Sequence, residues 1–183
     1  MLGMLSFGRE LSGYDLKKWA DNSLRFFYWS PASSQIYAEL RRLERLGLVT
    51  SRVAAQDDLR NKRLFAITPT GRDAISHWVQ HSTVEPTVLK HSVALRVWLG
   101  HLADPAHLRV VVTEHRDNAA RLAEEAGRAA SDAAGSADWE YPALVNRWSQ
   151  RYYESEQRLA DEMLADLDRL AAPPTDRPTS TAG

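Results

Sequence analysis

Residues 30–49 read SPASSQIYAELRRLERLGLV, and this stretch decides the fold that the sequence predicts. Between residues 34 and 46 the apolar side chains recur at helical spacing, so one face of a helix can pack against a small core. Those side chains are Ile36, Leu40, Leu43 and Leu46. Gly47 can end the helix, because glycine adopts a left-handed conformation without steric cost. The candidate starting residues are Ser30, Pro31, Ser33 and Ser34, since serine caps free N–H groups and proline fits a first turn.

The opposite face of this helix carries polar and basic side chains. Short polar groups at the N-terminus, followed by arginines one and two turns later, suit a major groove. There, glutamine can pair with adenine, and arginine with guanine or phosphate. The residues of this helix that we place at DNA are Ser34, Gln35, Tyr37, Arg41 and Arg42. A solvated helix face is the alternative, because Glu39 and Glu44 counter the arginines.

A β-hairpin is predicted after Gly47, where the hydrophobic period changes to two. Residues 48–53 and 62–68 are strand-like, and the segment between them is long enough for an extended tip. Arg60, Lys62 and Arg63 lie at or just after that tip. On a wing these cations meet the phosphate backbone or the minor groove. Ordinary edge-strand charge, which discourages aggregation, is the alternative.

Two further helices complete the first domain. Residues 12–15, SGYD, resemble a capping box, after which Leu16, Trp19 and Ala20 face inward, while Tyr14 and Lys17 face outward. The aromatic run at residues 26–29, FFYW, is predicted to pack the turn before the recognition helix. Residues 68–72, TPTGR, begin a helix whose apolar stripe is Ala74, Ile75, Trp78 and Val79. Residues 1–81 therefore predict a winged helix-turn-helix with a two-stranded wing.

Composition supports an ordinary globular protein. The chain has 183 residues, of which 44% are hydrophobic and 26% charged, and its net charge is −1. No apolar run approaches the ~20 residues of a membrane span, and no signal sequence is recognisable, so we expect a cytoplasmic protein without a membrane partner. The absence of cysteine excludes disulfides, thiolate catalysis and thiolate metal ligands. Residues 1–85 hold twelve Lys and Arg against nine Asp and Glu, a modest positive excess on the predicted reading element.

The second half is predicted to be a helical dimerisation domain, which makes the whole chain mainly α. A linker at residues 82–87 precedes the helical residues 88–171, and the Pro/Thr-rich residues 172–183 are expected to be disordered. The helix after residue 104 is expected to fade into a loop over residues 124–138, and a final helix to run from about residue 142 to residue 170. Its apolar stripe is too long for one small domain to cover, so a second subunit is expected to bury it. The predicted interface residues are Leu144, Trp148, Tyr152, Leu159, Met163 and Leu167.

An enzyme is not predicted, and neither a metal nor a cofactor is expected. His77 and His81 are four residues apart, a spacing that can hold a metal, but no nearby carboxylate completes a triad. The other four histidines are scattered and are interpreted as surface or interface residues. No glycine-rich phosphate loop and no Ser-His-Asp spacing above chance is present.

Several segments together resemble the PadR family of bacterial transcriptional regulators. They are LGML at 2–5, SGYDL at 12–16, WS at 29–30, SQIY at 34–37, LRRLE at 40–44, GLV at 47–49 and ITPTG at 67–71. The resemblance covers roughly residues 2–171 and looks closest to the phenolic-acid-responsive branch. It implies a winged helix that binds a palindromic operator and C-terminal helices that form a dimer. It places Tyr14, Ser34, Gln35 and Tyr37 at the DNA surface, with Lys62 and Arg63 on the wing.

The sequence therefore predicts a sequence-specific regulator that binds double-stranded DNA, a homodimeric repressor released by a small effector that is aromatic or phenolic. Trp98, Trp148 and Tyr152 are the candidate effector residues, and core or dimer packing is the alternative interpretation of each. A helical protein-interaction module, in which the winged helix does not read DNA, is the alternative function.

Overall fold

The computed structural model describes residues 1–56, 59–135 and 137–171, without the side chains of residues 55–61 and 137. Of the predicted hairpin tip at residues 54–61, only residues 57 and 58 lie outside the described residues. The strands run on to Gln56 and resume at Leu59, so they are longer, and the segment between them shorter, than predicted. The predicted disordered tail at residues 172–183 lies outside the described residues. The helices are α1 Leu2–Leu5, α2 Gly13–Asn22, α3 Ser33–Arg45, α4 Pro69–His81, α5 Ser92–Trp98, α6 Pro105–Ala133 and α7 Glu140–Ala171. Strands β1 Val49–Gln56 and β2 Leu59–Ile67 complete the order, with short 3₁₀ turns at Leu24–Phe26, Gly100–Leu102 and Ala137–Trp139. The predicted mainly helical fold with a two-stranded wing is confirmed.

The chain forms two compact units. The first contains Met1–Thr87 and Ala129–Asn146, and the second contains Val88–Arg128 and Arg147–Gly183. Both long helices contribute to both units. The boundaries drawn from the sequence, with a linker at residues 82–87, stay a prediction about functional domains.

Helix α2 begins with the predicted capping box. The Ser12 hydroxyl accepts a hydrogen bond from the Asp15 backbone N–H (3.2 Å), and the Asp15 carboxylate accepts one from the Ser12 N–H (3.0 Å). Two N–H groups at the start of the helix are thereby satisfied, which stabilises such a helix by about 1 kcal/mol. The helix buries Leu16 and Ala20 on its inner face.

Helix α3 differs from its prediction in its N-terminal cap and in one apolar position near its end. Ala32 precedes the first turn, and its backbone N–H donates to the Gln35 side chain at 2.8 Å, so none of the predicted Ser or Pro residues caps the helix. At the other end Leu46 is 55% exposed, so its assignment to the buried stripe was wrong. Leu46 follows the last helical turn, where the chain turns toward β1 and the helical periodicity no longer applies. Gly47 adopts φ +68°, as the predicted helix end requires.

The core of the winged helix gathers side chains from α1, α2, α3 and both strands. Its buried members are Met4, Leu5, Leu16, Ile36, Leu40, Leu43, Val49 and Phe65. Full burial of an aliphatic side chain contributes roughly 1.5–3 kcal/mol, so this cluster is the main stabilising feature of the unit. The predicted periodicity of residues 36, 40 and 43 is confirmed.

The wing is antiparallel, with Val49 opposite Ile67 and Ala54 opposite Lys62. Leu11 adds a one-residue third strand, because it exchanges both backbone hydrogen bonds with Phe65 at 2.9 and 3.0 Å. After the wing, the Thr68 hydroxyl accepts from the Gly71 N–H at 3.1 Å and Pro69 occupies the first turn of α4, as predicted. The wing is therefore fixed at its base from both sides.

Two predictions about aromatic and apolar packing were wrong. Of the run at residues 26–29 only Phe26 is buried, because the short 3₁₀ turn directs the next three rings outward. On α4 the predicted apolar stripe stays largely exposed, with Trp78 at 62% and Val79 at 69%. Helical periodicity identified one face of α4, but no described part of the chain covers that face.

Helix α6 continues through the segment that the sequence assigned to a frayed end and a loop. A row of small side chains on one face is buried, namely Ala119, Ala123, Ala126, Ala130 and Ala133. Alanine has the best helix propensity, and its small size allows another helix to approach closely, so the segment stays helical. Within the described residues, no helix is long and apolar enough to cross a membrane.

Candidate nucleic-acid interface

The outer face of α3 presents the polar residues that the sequence assigned to DNA. Ser34, Gln35, Arg41 and Arg42 are exposed, and so is Tyr37. The Gln35 amide oxygen is already engaged by the Ala32 N–H, which fixes the side chain at the first turn of the helix. Its amide NH₂ remains the group that can donate to an acceptor on a base edge.

Tyr37 connects this face to helix α2. Its ring lies directly over Gly13, where a Cβ atom would come within 2.5 Å of the ring carbons. Glycine at this position therefore allows the ring to lie against the start of α2. The neighbouring Tyr14 is 70% exposed, so two tyrosines from two helices stand on the outside of the unit. Each offers a hydroxyl that can donate to a phosphate oxygen.

Most of the predicted DNA-binding cations form intramolecular ion pairs at the surface of the protein. Lys62 pairs with Asp15 and Arg63 with Glu44, each at 2.9 Å. Arg42 forms a bidentate pair with Glu39 at 2.8 Å, and Lys17 pairs with Asp21. Among the described residues, Arg41 has neither an ion pair nor a hydrogen bond.

These ion pairs position the cations but leave them able to exchange their carboxylate partner for a phosphate. Exposed ion pairs contribute only about 0–1 kcal/mol, so a phosphate can replace the carboxylate at little cost. The Ser51 hydroxyl also accepts from the Arg63 guanidinium at 2.9 Å and holds it against Glu44. Glu39 and Glu44 were read from the sequence only as countercharge. Ser51 and Asp15 were not identified as partners of these cations, because their contacts join separate elements. Asp21 was missed, although it lies four residues after Lys17 on α2, a spacing that indicates a contact.

The acidic partners are held in their ionised form. The hydrogen bond from Arg42 lowers the pKa of Glu39. The hydrogen bond from the Ser51 hydroxyl lowers the pKa of Glu44, and the hydrogen bond from Arg63 adds a smaller effect in the same direction. Partial burial alone would raise the pKa of Asp15, but its hydrogen bonds to Ser12 and Lys62 outweigh burial and lower it. The carboxylates therefore stay charged at neutral pH and compete with phosphate for the same cations.

The candidate effector residues lie in the second unit. Trp148 and Tyr152 stack at 5.7 Å between ring centroids, on the exposed side of α7. Trp98 is 77% exposed on α5, and among the described residues it makes no ring contact with the other two. Burial and the neighbouring Glu156 carboxylate raise the pKa of the Tyr152 hydroxyl.

The first unit contains an aromatic cavity that the sequence did not indicate. The Trp19 ring lies 4.8 Å from that of Trp139 and 5.2 Å from that of Phe7. A cavity of about 320 Å³ adjoins the two tryptophans and is also lined by Arg9, Asn22, Ser23 and Asn146. Sequence analysis had placed Trp19 in the core, and it contained no signal that residue 139 would lie beside it.

The N-terminal part of the chain matches a known family. Residues 1–77 fit the model of the transcriptional regulator PadR-like family. Residues 1–77 are therefore similar to a PadR-like domain, and this segment is called the PadR-like domain below. Over 89 residues it is 36% identical to the negative transcriptional regulator PadR of Bacillus subtilis, a match covering 48% of each protein. The chain thus spans about half the length of the curated relatives it matches.

Solved structures extend the likeness in fold beyond the PadR-like domain. Bacillus subtilis PadR in complex with operator DNA has a TM-score of 0.77 and 23% identity, and the match covers 91% of this chain and 96% of that one. The same protein in complex with p-coumaric acid has a TM-score of 0.69 and 24% identity, over 91% of this chain and 95% of that one. These two likenesses establish a shared fold that includes the C-terminal helices.

Within the PadR-like domain, the described DNA-binding candidates are Tyr14, Lys17, Ser34, Gln35, Tyr37, Arg41, Arg42, Lys62 and Arg63. They lie on α2, on α3 and on β2, and the ion pair between Lys62 and Asp15 brings the wing against α2. The side chain of Arg60 lies outside the described residues. The structure does not test the contacts of these side chains with DNA, so their roles stay predictions.

Proposed function

We propose that this chain is a sequence-specific DNA-binding regulator, a homodimeric repressor that leaves a palindromic operator when a small effector binds. The observation that carries the proposal is the exposed polar face of α3, flanked by Tyr14 on α2 and by Lys62 on the wing. Bases are read by side chains on a helix in the major groove, while phosphate contacts from a wing fix the register. This supports a DNA-binding function rather than catalysis.

The proposed dimer is supported by the exposed side of α7. Trp148, Leu159 and Leu170 recur every eleven residues and are all more than half exposed. Of the other predicted interface residues, Leu144 and Tyr152 are exposed. Met163 and Leu167 pack against an internal cluster of Val112, Ala160 and Leu164. The proposed interface is therefore centred on Trp148, Leu159 and Leu170. We propose that a second copy of this chain covers it.

A dimer would also compensate for weak DNA binding by a single PadR-like domain. Two recognition helices about 34 Å apart enter successive major grooves on one side of the duplex. Binding of the second domain is then intramolecular, which raises overall affinity by a factor of about 10²–10⁴. The modest positive charge of one PadR-like domain suffices under that condition.

The experiment compares binding of the purified chain to the DNA upstream of its own gene with binding to random DNA of equal length, at 50 and 200 mM salt. A repressor that neutralises several phosphates is expected to bind the upstream DNA selectively and to lose about 10³-fold or more in affinity at the higher salt. The alternative function, a protein-interaction module, predicts no selectivity and no such loss.

Two substitutions test the placement of the contacts. Gln35→Ala is expected to relax sequence preference, with a loss of about 1–3 kcal/mol on the operator only, because it removes base readout. Lys62→Ala is expected to weaken operator and random DNA similarly and to lower the salt slope by about one, because it removes a phosphate contact. Fluorescence anisotropy at several salt concentrations measures both. Lys90→Ala, an equal charge change outside the PadR-like domain, is the control. Wild-type behaviour of both variants would contradict the proposed contacts.

For the effector we propose a small aromatic acid, since p-coumaric acid is bound by the Bacillus subtilis protein of the same fold. Two surfaces are candidates for the effector site. One is the surface predicted from the sequence, Trp98, Trp148 and Tyr152. The other is the cavity beside Trp19 and Trp139, where Arg9 offers a cation for a carboxylate and the rings offer stacking surfaces. An effector releases DNA only if it binds better to the conformation that does not fit the operator.

Release of operator DNA by p-coumaric acid distinguishes the two surfaces. If the cavity is the site, Arg9→Gln is expected to raise the effector concentration needed for release about tenfold or more, while DNA affinity without effector stays unchanged. If the predicted surface is the site, Trp98→Ala produces that change instead. Wild-type release by both variants would exclude both surfaces, and no release from the unaltered chain would contradict a phenolic effector.

A further inference from the structure

Two histidines and a glutamate that are far apart in the sequence meet in the second unit. His91 immediately precedes α5, His115 lies in α6 and Glu156 lies in α7. The Nε2 atoms of both imidazoles lie 3.2 Å from the same carboxylate oxygen, Oε2 of Glu156. All three candidate ligand atoms lie within 4.8 Å of one another. The interpretation of His91 and His115 as scattered residues was therefore wrong.

The distances are close to those of a metal centre. Zn²⁺ binds nitrogen and carboxylate oxygen at about 2.0–2.2 Å, so two ligands of a tetrahedral ion are about 3.3–3.5 Å apart. The two nitrogen-to-oxygen separations of 3.2 Å are close to this spacing. The two imidazole nitrogens lie within 4.8 Å of each other, so they would approach by up to about 1.4 Å on binding an ion. The three side chains are 13–23% exposed, so they are shielded from bulk water, yet they line an open cavity of about 240 Å³.

We propose that His91, His115 and Glu156 bind a divalent transition-metal ion, with Zn²⁺ as the preferred occupant. Two neutral imidazoles and one carboxylate form a donor set typical of zinc, and the cavity leaves a fourth position open to water or to a ligand. The site would join the start of α5 to α6 and α7. This inference does not rest on DNA binding.

The surroundings of the three ligands are suited to the task. The Tyr152 side chain lines the same cavity as the Glu156 carboxylate, and burial together with that carboxylate raises the pKa of its hydroxyl. Groups that surround the ligands usually affect metal affinity. In contrast, His77 and His81 stack at 4.5 Å on α4, and among the described residues no carboxylate joins them in a cluster of three ligands.

The hydrogen bonds of His91 add a distinguishing feature. Its Nδ1 atom accepts from the Ala94 backbone N–H at 3.1 Å, so in the metal-free protein the neutral ring carries its proton on Nε2 and donates to Glu156. A metal on Nε2 requires that proton to move to Nδ1, which then cannot accept from Ala94. Metal binding and capping of α5 by His91 are therefore mutually exclusive. A purely structural cluster would keep the Nε2 proton.

The test titrates Zn²⁺ into the full-length, chelator-treated chain in competition with a chromophoric chelator. One ion per chain is expected. His115→Gln and Glu156→Gln are each expected to weaken binding at least about 100-fold, because each removes a direct ligand. The double variant His77→Gln/His81→Gln is the matched control and is expected to bind like the unaltered chain. Wild-type affinity in both ligand variants, or loss of binding in the control, would overturn the proposal.

Imidazole ¹⁵N spectra of the unaltered chain provide a second measurement that does not depend on how the variants fold. Zinc is expected to shift the Nε2 signals of His91 and His115 and to transfer the His91 proton to Nδ1. Signals that change only at His77 and His81, or a His91 ring that keeps its Nε2 proton in the presence of excess zinc, would overturn it.

Discussion

Leu159→Asp is expected to convert the proposed dimer into monomers and to lower operator affinity by about 10²–10⁴-fold. Leu159 is 55% exposed and lies between Trp148 and Leu170 on the proposed interface of α7. In a dimer this side chain is buried against a second copy, where an unpaired carboxylate is strongly unfavourable. Each PadR-like domain would then bind DNA alone, without the gain of bivalent attachment. Light scattering measures the mass, and anisotropy measures the affinity.

Ala165→Asp is the matched control for this prediction. It adds the same charge to α7 at an exposed position, about 120° around the helix from the apolar face. Its mass and operator affinity are expected to equal those of the unaltered chain. A dimeric mass for Leu159→Asp would remove this face from the interface. Monomers that bind the operator at full affinity would instead contradict the bivalent mechanism.

Gly71→Ala is expected to destabilise the winged helix by about 1–3 kcal/mol, the cost typical of overpacking. A Cβ atom at Gly71 would lie 2.1 Å from the Leu48 carbonyl oxygen and 3.0 Å from a side-chain carbon of Ile67. That carbonyl accepts the Thr68 N–H at 3.1 Å, so it cannot move away without loss of the hydrogen bond at the base of the wing. Alanine is favoured over glycine within a helix by about 1 kcal/mol, and the backbone clash outweighs this gain.

Urea unfolding followed by circular dichroism measures the effect of Gly71→Ala. Gly3→Ala is its control, because Gly3 is also helical but a Cβ there would meet no atom within 4 Å. The control is expected to be neutral or slightly stabilising, by no more than about 1 kcal/mol. An unfolding midpoint for Gly71→Ala at or above that of the unaltered chain would show that the α4 start moves freely relative to β1.

In the ion pairs of the PadR-like domain, the cations could be predicted from the sequence more readily than their acidic partners. The basic residues of α3 and the wing were identified from their positions in a helix and a hairpin. The partner of Lys62 was not identified, because this pair joins Asp15 of α2 to β2. Charge patterning along one helix indicates only contacts three or four residues apart, such as that of Arg42 with Glu39.

Features that depend on neighbours within about four residues were predictable from residue order. These are the capping box of Ser12 and Asp15, the helix end at Gly47, the start of α4 at Thr68 and the alternation of the wing strands. Backbone hydrogen bonds and steric limits on φ act over that range, so residue order suffices to predict them.

Features that depend on which distant surfaces meet became visible in the folded chain. Leu46 and Val79 have apolar side chains yet stay exposed, whereas the alanine-rich end of α6 is helical because one of its faces is buried. The aromatic cavity at Trp19 and the meeting of His91 with His115 and Glu156 likewise join residues separated by 24 to 120 positions. The physical reason is that periodicity indicates which face of an element is apolar, while packing of the whole chain determines what, if anything, covers that face.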